Sequence, residues 1–178
     1  MRSTFRAVLA ISLLLSTACD KNSSPTSPST TAQLAGTWSY NARLNSASGG
    51  ECVGADFQAV IGATDSGTLT ITQSGTSLTA TQTSDVAGGG SCTYTGSVSS
   101  SSFTLNLTRC DGGQVLRDFP CSNGARRDIE FATNPIDGTV TGTSMTATSV
   151  ETYNIYTAGT TTRVGTLTLT ASITAMKR

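Results

Sequence analysis

Six side chains along the chain could do chemistry with a small molecule: Tyr40, Gln82, Arg109, Arg127, Glu151 and Tyr153. Together they offer a carboxylate, two phenols, an amide and two guanidiniums, enough to orient a polar group by charge and hydrogen bonding. Glu151 and Tyr153 stand two apart in SVETYNI, so in a strand both point to one face. A carboxylate aimed into an apolar interior needs a partner, water or a proton. Arg109 and Arg127 are the candidate partners. The same residues are a thin basis for catalysis. The chain has no histidine, which removes Ser-His-Asp and Cys-His arrangements and every histidine-containing metal site. Glu151 or Tyr153 would have to act as general acid or base, and no motif places a second group. The expectation is therefore binding without turnover, with no enzyme activity, no cofactor and no metal.

Strands must position these groups. In GTLTITQSGTSLTATQT, residues 67–83, leucine and isoleucine alternate with threonine on both sides of Ser74-Gly75-Thr76. Period-two runs of this kind recur at 36–44, 67–73, 77–84, 91–98, 102–109, 127–133, 144–156 and 163–174. A piece at 138–141 extends the sixth run past a break at Asn134-Pro135. ITQSGTSLTAT, TGSVSSSSFTLNL and GTVTGTSMTAT each set a tight turn before Ser/Thr, a large apolar residue and threonine, as hairpins of a meander do. No segment carries a helical period. The longer connections (45–66, 85–90, 110–126 and 157–162) alternate with tight ones, which puts all the long loops at one end. The pattern predicts an all-β, eight-stranded antiparallel up-and-down barrel with a decorated mouth and a closed base. A β-sandwich with the same alternation is the structural alternative. A membrane barrel would show an outward apolar band and an aromatic girdle. One face here is a row of threonines, so that face meets water and the aliphatic set lines the interior.

The 178 residues are formally neutral and only 12% of them are charged. No basic patch is available to hold nucleic acid by its phosphates. The first residues, MRSTFRAVLAISLLLSTAC, read as an export signal, with Arg2 and Arg6 before an apolar run too short to span a bilayer. LSTAC is similar to a lipobox, with Cys19 as the lipidated residue; secretion with cleavage after Ala18 is the plainer alternative. Residues 20–33, DKNSSPTSPSTTAQ, have the composition of a flexible tether. The division is thus a signal peptide at 1–18, a lipidated cysteine and tether at 19–33, and a barrel at 34–178. The partner implied is a membrane in a bacterial cell envelope. Asp20 is similar to an inner-membrane retention signal of the enterobacterial type, and the outer membrane is favoured slightly over the inner.

Of five cysteines, four remain if Cys19 carries lipid: Cys52, Cys92, Cys110 and Cys121. An even number in an oxidising compartment suggests two disulfides. All four map to the open end. By strand parity Cys92 faces inward with Tyr94, whereas Cys110 faces outward. That parity favours Cys52–Cys92 and Cys110–Cys121. A four-cysteine zinc site is the alternative, without C-x-x-C spacing to support it.

LAGTWSY, residues 34–40, carries a family resemblance. Gly36-Thr37-Trp38 resembles the Gly-x-Trp that opens the first strand of lipocalins, and the GTW of avidin-like barrels. The resemblance implies that Trp38 plugs the closed base and that a cation at the chain end, Arg178 or Lys177, stacks on it. Glu151-Thr152-Tyr153 is at best an echo of the second lipocalin motif. With one tryptophan, an avidin-like biotin site is not expected. The small inward residues Ala80, Gly96, Ala147 and Ala171 leave room for an apolar or amphipathic ligand. Two readings follow: a lipid-anchored barrel that binds a small molecule, or a filled barrel whose long loops engage a protein partner.

Overall fold

Threonine is β-branched and favours an extended backbone, and alternating it with Leu, Ile or Phe gives each strand one wet and one dry face. The computed structural model describes residues 31–86, 90–111 and 115–178. Its elements are β1 (Gly36–Gly49), α1 (Glu51–Gln58), β2 (Thr64–Ser74), β3 (Ser77–Ser84), β4 (Ser91–Ser99), β5 (Ser102–Cys110), β6 (Val115–Pro120), β7 (Arg126–Thr133), β8 (Pro135–Thr141), β9 (Ser144–Thr157) and β10 (Arg163–Lys177). Neighbours run β1-β2-β3-β4-β5-β8-β9-β10, and β10 pairs back onto β1. Every pairing is antiparallel, so the expected eight-stranded up-and-down barrel is closed. Thr70, Thr72, Thr79 and Thr81 are exposed, whereas Leu69, Ile71, Leu78 and Ala80 between them are buried. Among the described residues no helix is long and apolar enough to cross a membrane. The signal sequence, Cys19 and most of the tether lie outside the described residues.

The closed base is built as the tryptophan implies, and only one of the two cations expected there takes the ring. Trp38 is fully buried and its Nε1–H donates to the Leu34 carbonyl at 2.8 Å. Gln73 ties the incoming chain across the base: its Oε1 accepts from the Leu34 N–H at 2.7 Å and its Nε2 donates to the Ala32 carbonyl at 3.1 Å. The cation over the ring is Lys177, with Nζ 5.4 Å from the centroid. Arg178, one residue on, lies on the opposite side of the alternating strand and donates to Ser39 Oγ at 2.5 Å. The plug is therefore Trp38 with Lys177, not Arg178.

The open end departs further from the sequence expectation. β9 and β10 are 14 and 15 residues long and outrun the barrel. The break at Asn134-Pro135 divides one wall position between two strands, because proline cannot continue the ladder. β8 lies between β5 and β9, whereas β7 pairs only with β9 and with β6. The β6–β7 hairpin leaves the barrel and, with α1 and the ends of β9 and β10, encloses a second core around Val53, Ile129, Ile155 and Leu167. Both α1 and β6 fall in segments expected to be loops.

The disulfides are Cys52–Cys121 and Cys92–Cys110, not the pairs expected. The cause is a bulge. Tyr94 pairs with Leu107 but Thr93 pairs with Arg109, so Thr108 is the extra residue on β5. One inserted residue reverses parity beyond it. Cys110 then comes opposite Cys92, and Arg109 turns outward with Thr93.

Candidate functional site

Tyr40 on β1 sits opposite Gly67 on β2, where a Cβ would run into both the Thr83 carbonyl and the Tyr40 ring. The missing side chain lets the phenol lie flat against the wall and reach along the barrel. Its hydroxyl donates to Asp65 Oδ2 at 2.8 Å and accepts from Gln82 Nε2 at 2.9 Å. Tyr94 donates to Gln82 Oε1 at 2.7 Å, and Ser84 donates to Asp65 Oδ1 at 2.5 Å. These bonds run along β1 to β4 as one chain. A second cluster occupies another part of the wall. Tyr153 donates to Glu151 Oε2 at 2.7 Å and Asn134 Nδ2 donates to Glu151 Oε1 at 3.3 Å. Ser149 donates to Asn134 Oδ1 at 2.8 Å.

Between the clusters is a cavity of about 250 Å³. Thr64, Asp65, Gln82, Tyr94, Asn134, Ser149 and Glu151 supply its polar lining. Ala42, Leu44, Ile136, Leu169, Ala171 and Ile173 supply the apolar one. A space of about 220 Å³ shares Gln82, Tyr94, Asn134 and Glu151 with it and reaches the Cys92–Cys110 bridge. It lies where β5 ends its pairing with β8 at Asn106 and where β7 has left the wall. The cavity thus opens sideways as well as at the mouth. Towards the base, a small void of about 40 Å³ touches Leu69, Phe103 and Met145. Small residues keep the interior from filling: a larger side chain at Ala42 or Ala171 would occupy the space.

The phenols are held neutral. Burial, opposed in part by the Gln82 hydrogen bond, pushes Tyr40 up to about 12, and Asp65 adds to the rise. Burial also raises Tyr94 and Tyr153 well above the usual tyrosine range, with the Glu151 charge as the next cause for both. A buried phenolate beside a carboxylate is disfavoured twice over, by desolvation and by like charge. These hydroxyls therefore act as hydrogen-bonding groups at neutral pH.

Four of the six residues singled out in the sequence come together: Tyr40, Gln82, Glu151 and Tyr153. The arginines do not join them. Arg109 is turned to the surface by the bulge and reaches Asp111 at 3.4 Å. Arg127 sits on the β6–β7 hairpin and donates to the Arg126 carbonyl at 3.0 Å. The partners expected for Glu151 are replaced by Tyr153 and Asn134. Sequence reasoning missed Asp65, Ser84, Asn134 and Ser149 as site residues, and read Tyr94 only as core. Asp65 carried no signal because it opens β2 inside a segment read as loop. Asn134 was visible only as a strand break. Among the described residues no three metal-ligating side chains converge.

Fold and site together define a class, a closed eight-stranded antiparallel up-and-down β-barrel with a partly polar cavity. No family model, curated protein or solved structure matches the chain.

Proposed function

We propose that this barrel binds one small amphipathic molecule and that the chain does so from a lipid anchor on Cys19 in a bacterial envelope. The observation that carries the first half is the cavity. A site with apolar walls and a few convergent polar groups is the usual anatomy of small-molecule recognition. An apolar cavity of roughly 150 Å³ is enough to hold benzene, so this one has room for a ring with a short chain. The reading is of a non-catalytic module, because Glu151 and Tyr153 are hydrogen-bonded to each other and the phenols, with raised pKa values, stay protonated and are poor proton donors. The anchor rests on the sequence signal. The described chain starts at the closed base, so a tether from Cys19 would hold the base toward the membrane and present the mouth away from it.

Two measurements test the two halves. Ala171 lines the cavity from β10, opposite Leu44 on β1. Ala171→Phe should fill much of the space and abolish the fluorescence enhancement of N-phenyl-1-naphthylamine, a neutral apolar dye, while circular dichroism shows an intact sheet. An unchanged enhancement would place the dye elsewhere and favour the alternative, a barrel that works through its loops. For the anchor, the protein should fractionate with membranes and become soluble as Cys19→Ser. A wild-type protein recovered wholly in the medium would end the lipoprotein reading.

A further inference from the structure

The direction of the hydrogen bonds in the cavity says what kind of ligand it can hold. Each tyrosine hydroxyl proton there is already committed. Tyr40 gives its proton to Asp65, Tyr94 to Gln82, and Tyr153 to Glu151. Ser84 and Ser149 are spent in the same way, on Asp65 and Asn134. Each ionised carboxyl has room for about four hydrogen bonds. Asp65 accepts from Tyr40 and Ser84, and Glu151 from Tyr153 and Asn134. Both therefore keep unused lone pairs. The carboxyls thus keep free acceptors, while the donors left over are neutral ones, the second N–H of the Gln82 and Asn134 amides and the Thr64 hydroxyl.

Charge points the same way. The cavity lining includes two carboxyl groups, Asp65 on β2 and Glu151 on β9, and no lysine or arginine. The ion pairs among the described residues involve Arg109, Arg117 and Arg126, and none reaches Asp65 or Glu151. Arg43, next to the lining residues Ala42 and Leu44, has the opposite strand parity and is directed outward. The surroundings are apolar, which strengthens any interaction made with these groups. An anionic ligand such as a fatty acid would meet two like charges without a countercharge.

From this we infer that the ligand is a small organic cation, a protonated amine carried on an apolar or aromatic body. The ammonium would take the unused acceptors of Asp65 or Glu151 and the phenol oxygens, and its body would lie against Leu169, Ile173 and Ile136. The inference rests on the cavity reading above and narrows it from amphipathic molecules in general to cationic ones.

Three probes of nearly equal shape separate the cases: 2-phenylethylamine, 2-phenylethanol and 3-phenylpropionate. Isothermal titration of the purified protein should show the amine binding at least tenfold more tightly than the alcohol, and no detectable binding of the propionate. Glu151→Gln should weaken the amine at least tenfold and leave the alcohol within about twofold, the alcohol thus reporting an intact cavity. Asp65→Asn gives the same contrast should the Glu151 variant not fold. Equal affinity for amine and alcohol, or tighter binding of the propionate, would overturn the cationic ligand while leaving a binding cavity in place. Silence from all three probes would overturn both.

Discussion

Replacing Trp38 with alanine should destabilise the protein by about 3–5 kcal/mol, the usual cost of deleting a fully buried large aromatic. Three losses add here. The indole leaves a void at the closed base, where Leu34, Ile71, Leu78 and Val98 belong to the same cluster. The Leu34 carbonyl loses the indole N–H that now bonds it at 2.8 Å, and an unsatisfied buried acceptor is itself costly. Lys177 loses the ring beneath its ammonium. Trp38→Phe separates these contributions. It keeps an aromatic face for Lys177 but removes the N–H and part of the volume, and should cost about 1–2 kcal/mol. Urea denaturation followed by circular dichroism gives both values. A loss under about 1 kcal/mol for the alanine variant would mean that the base does not depend on this residue. Because Trp38 lines none of the cavities described, the folded alanine variant should give the same N-phenyl-1-naphthylamine enhancement as the wild type at low temperature.

The barrel was legible because its strands are locally consistent. At Thr70, Thr72, Thr79 and Thr81 the polar side of the alternation is unbroken, so parity alone assigns the faces. The break at Asn134-Pro135 was legible for a related reason, since proline removes a donor that a ladder needs. What parity could not survive is an inserted residue. Thr108 is as good a strand former as its neighbours, so nothing in SFTLNLTRC marks it as the bulge. That single residue decides where Arg109 and Cys110 point, and it accounts both for the wrong disulfide pairing and for the arginine that is missing from the site. The helix Glu51–Gln58 was illegible for another reason. Eight residues make barely two turns, and in ECVGADFQ only Val53 and Phe57 stand on one face. A helix this short is held by its surroundings rather than by its own propensity: Gln58 Nε2 donates to the Ala47 carbonyl at 2.6 Å, and Asp56 accepts from the Ser122 N–H at 3.1 Å. Half of the site was thus readable from strand parity. The other half, Asp65 and Asn134, lies where strands begin and break, positions set by tertiary pairing.

Removing the Cys52–Cys121 bridge should cost more than removing Cys92–Cys110, and the order follows from chain entropy. Cys52 and Cys121 are 69 residues apart, against 18 for the other pair. Closing loops of these lengths in the unfolded chain corresponds to about 4 and about 3 kcal/mol respectively, on the loop-entropy account. The longer bridge also has a local task. It joins α1 to the turn between β6 and β7, and in the same small core the Phe57 and Phe119 rings meet at a tilt, centroids 6.1 Å apart. Without the covalent tie, an eight-residue helix and a hairpin outside the barrel keep the small core around Val53, Ile129 and Ile155, the β7–β9 ladder and two side-chain hydrogen bonds from α1. Cys52→Ala with Cys121→Ala should therefore lower global stability by about 4 kcal/mol. It should also raise amide exchange selectively in α1 and β6, while the strands around Trp38 remain protected. Cys92→Ala with Cys110→Ala should lower stability by about 3 kcal/mol, with its exchange changes confined to β4 and β5 beside the lateral opening. Peptide mapping without reduction gives the decisive reading. Cys52 linked to Cys121 supports this arrangement of the mouth, whereas Cys52 linked to Cys92 would mean that α1 docks on the opposite rim and that the hairpin does not cover it.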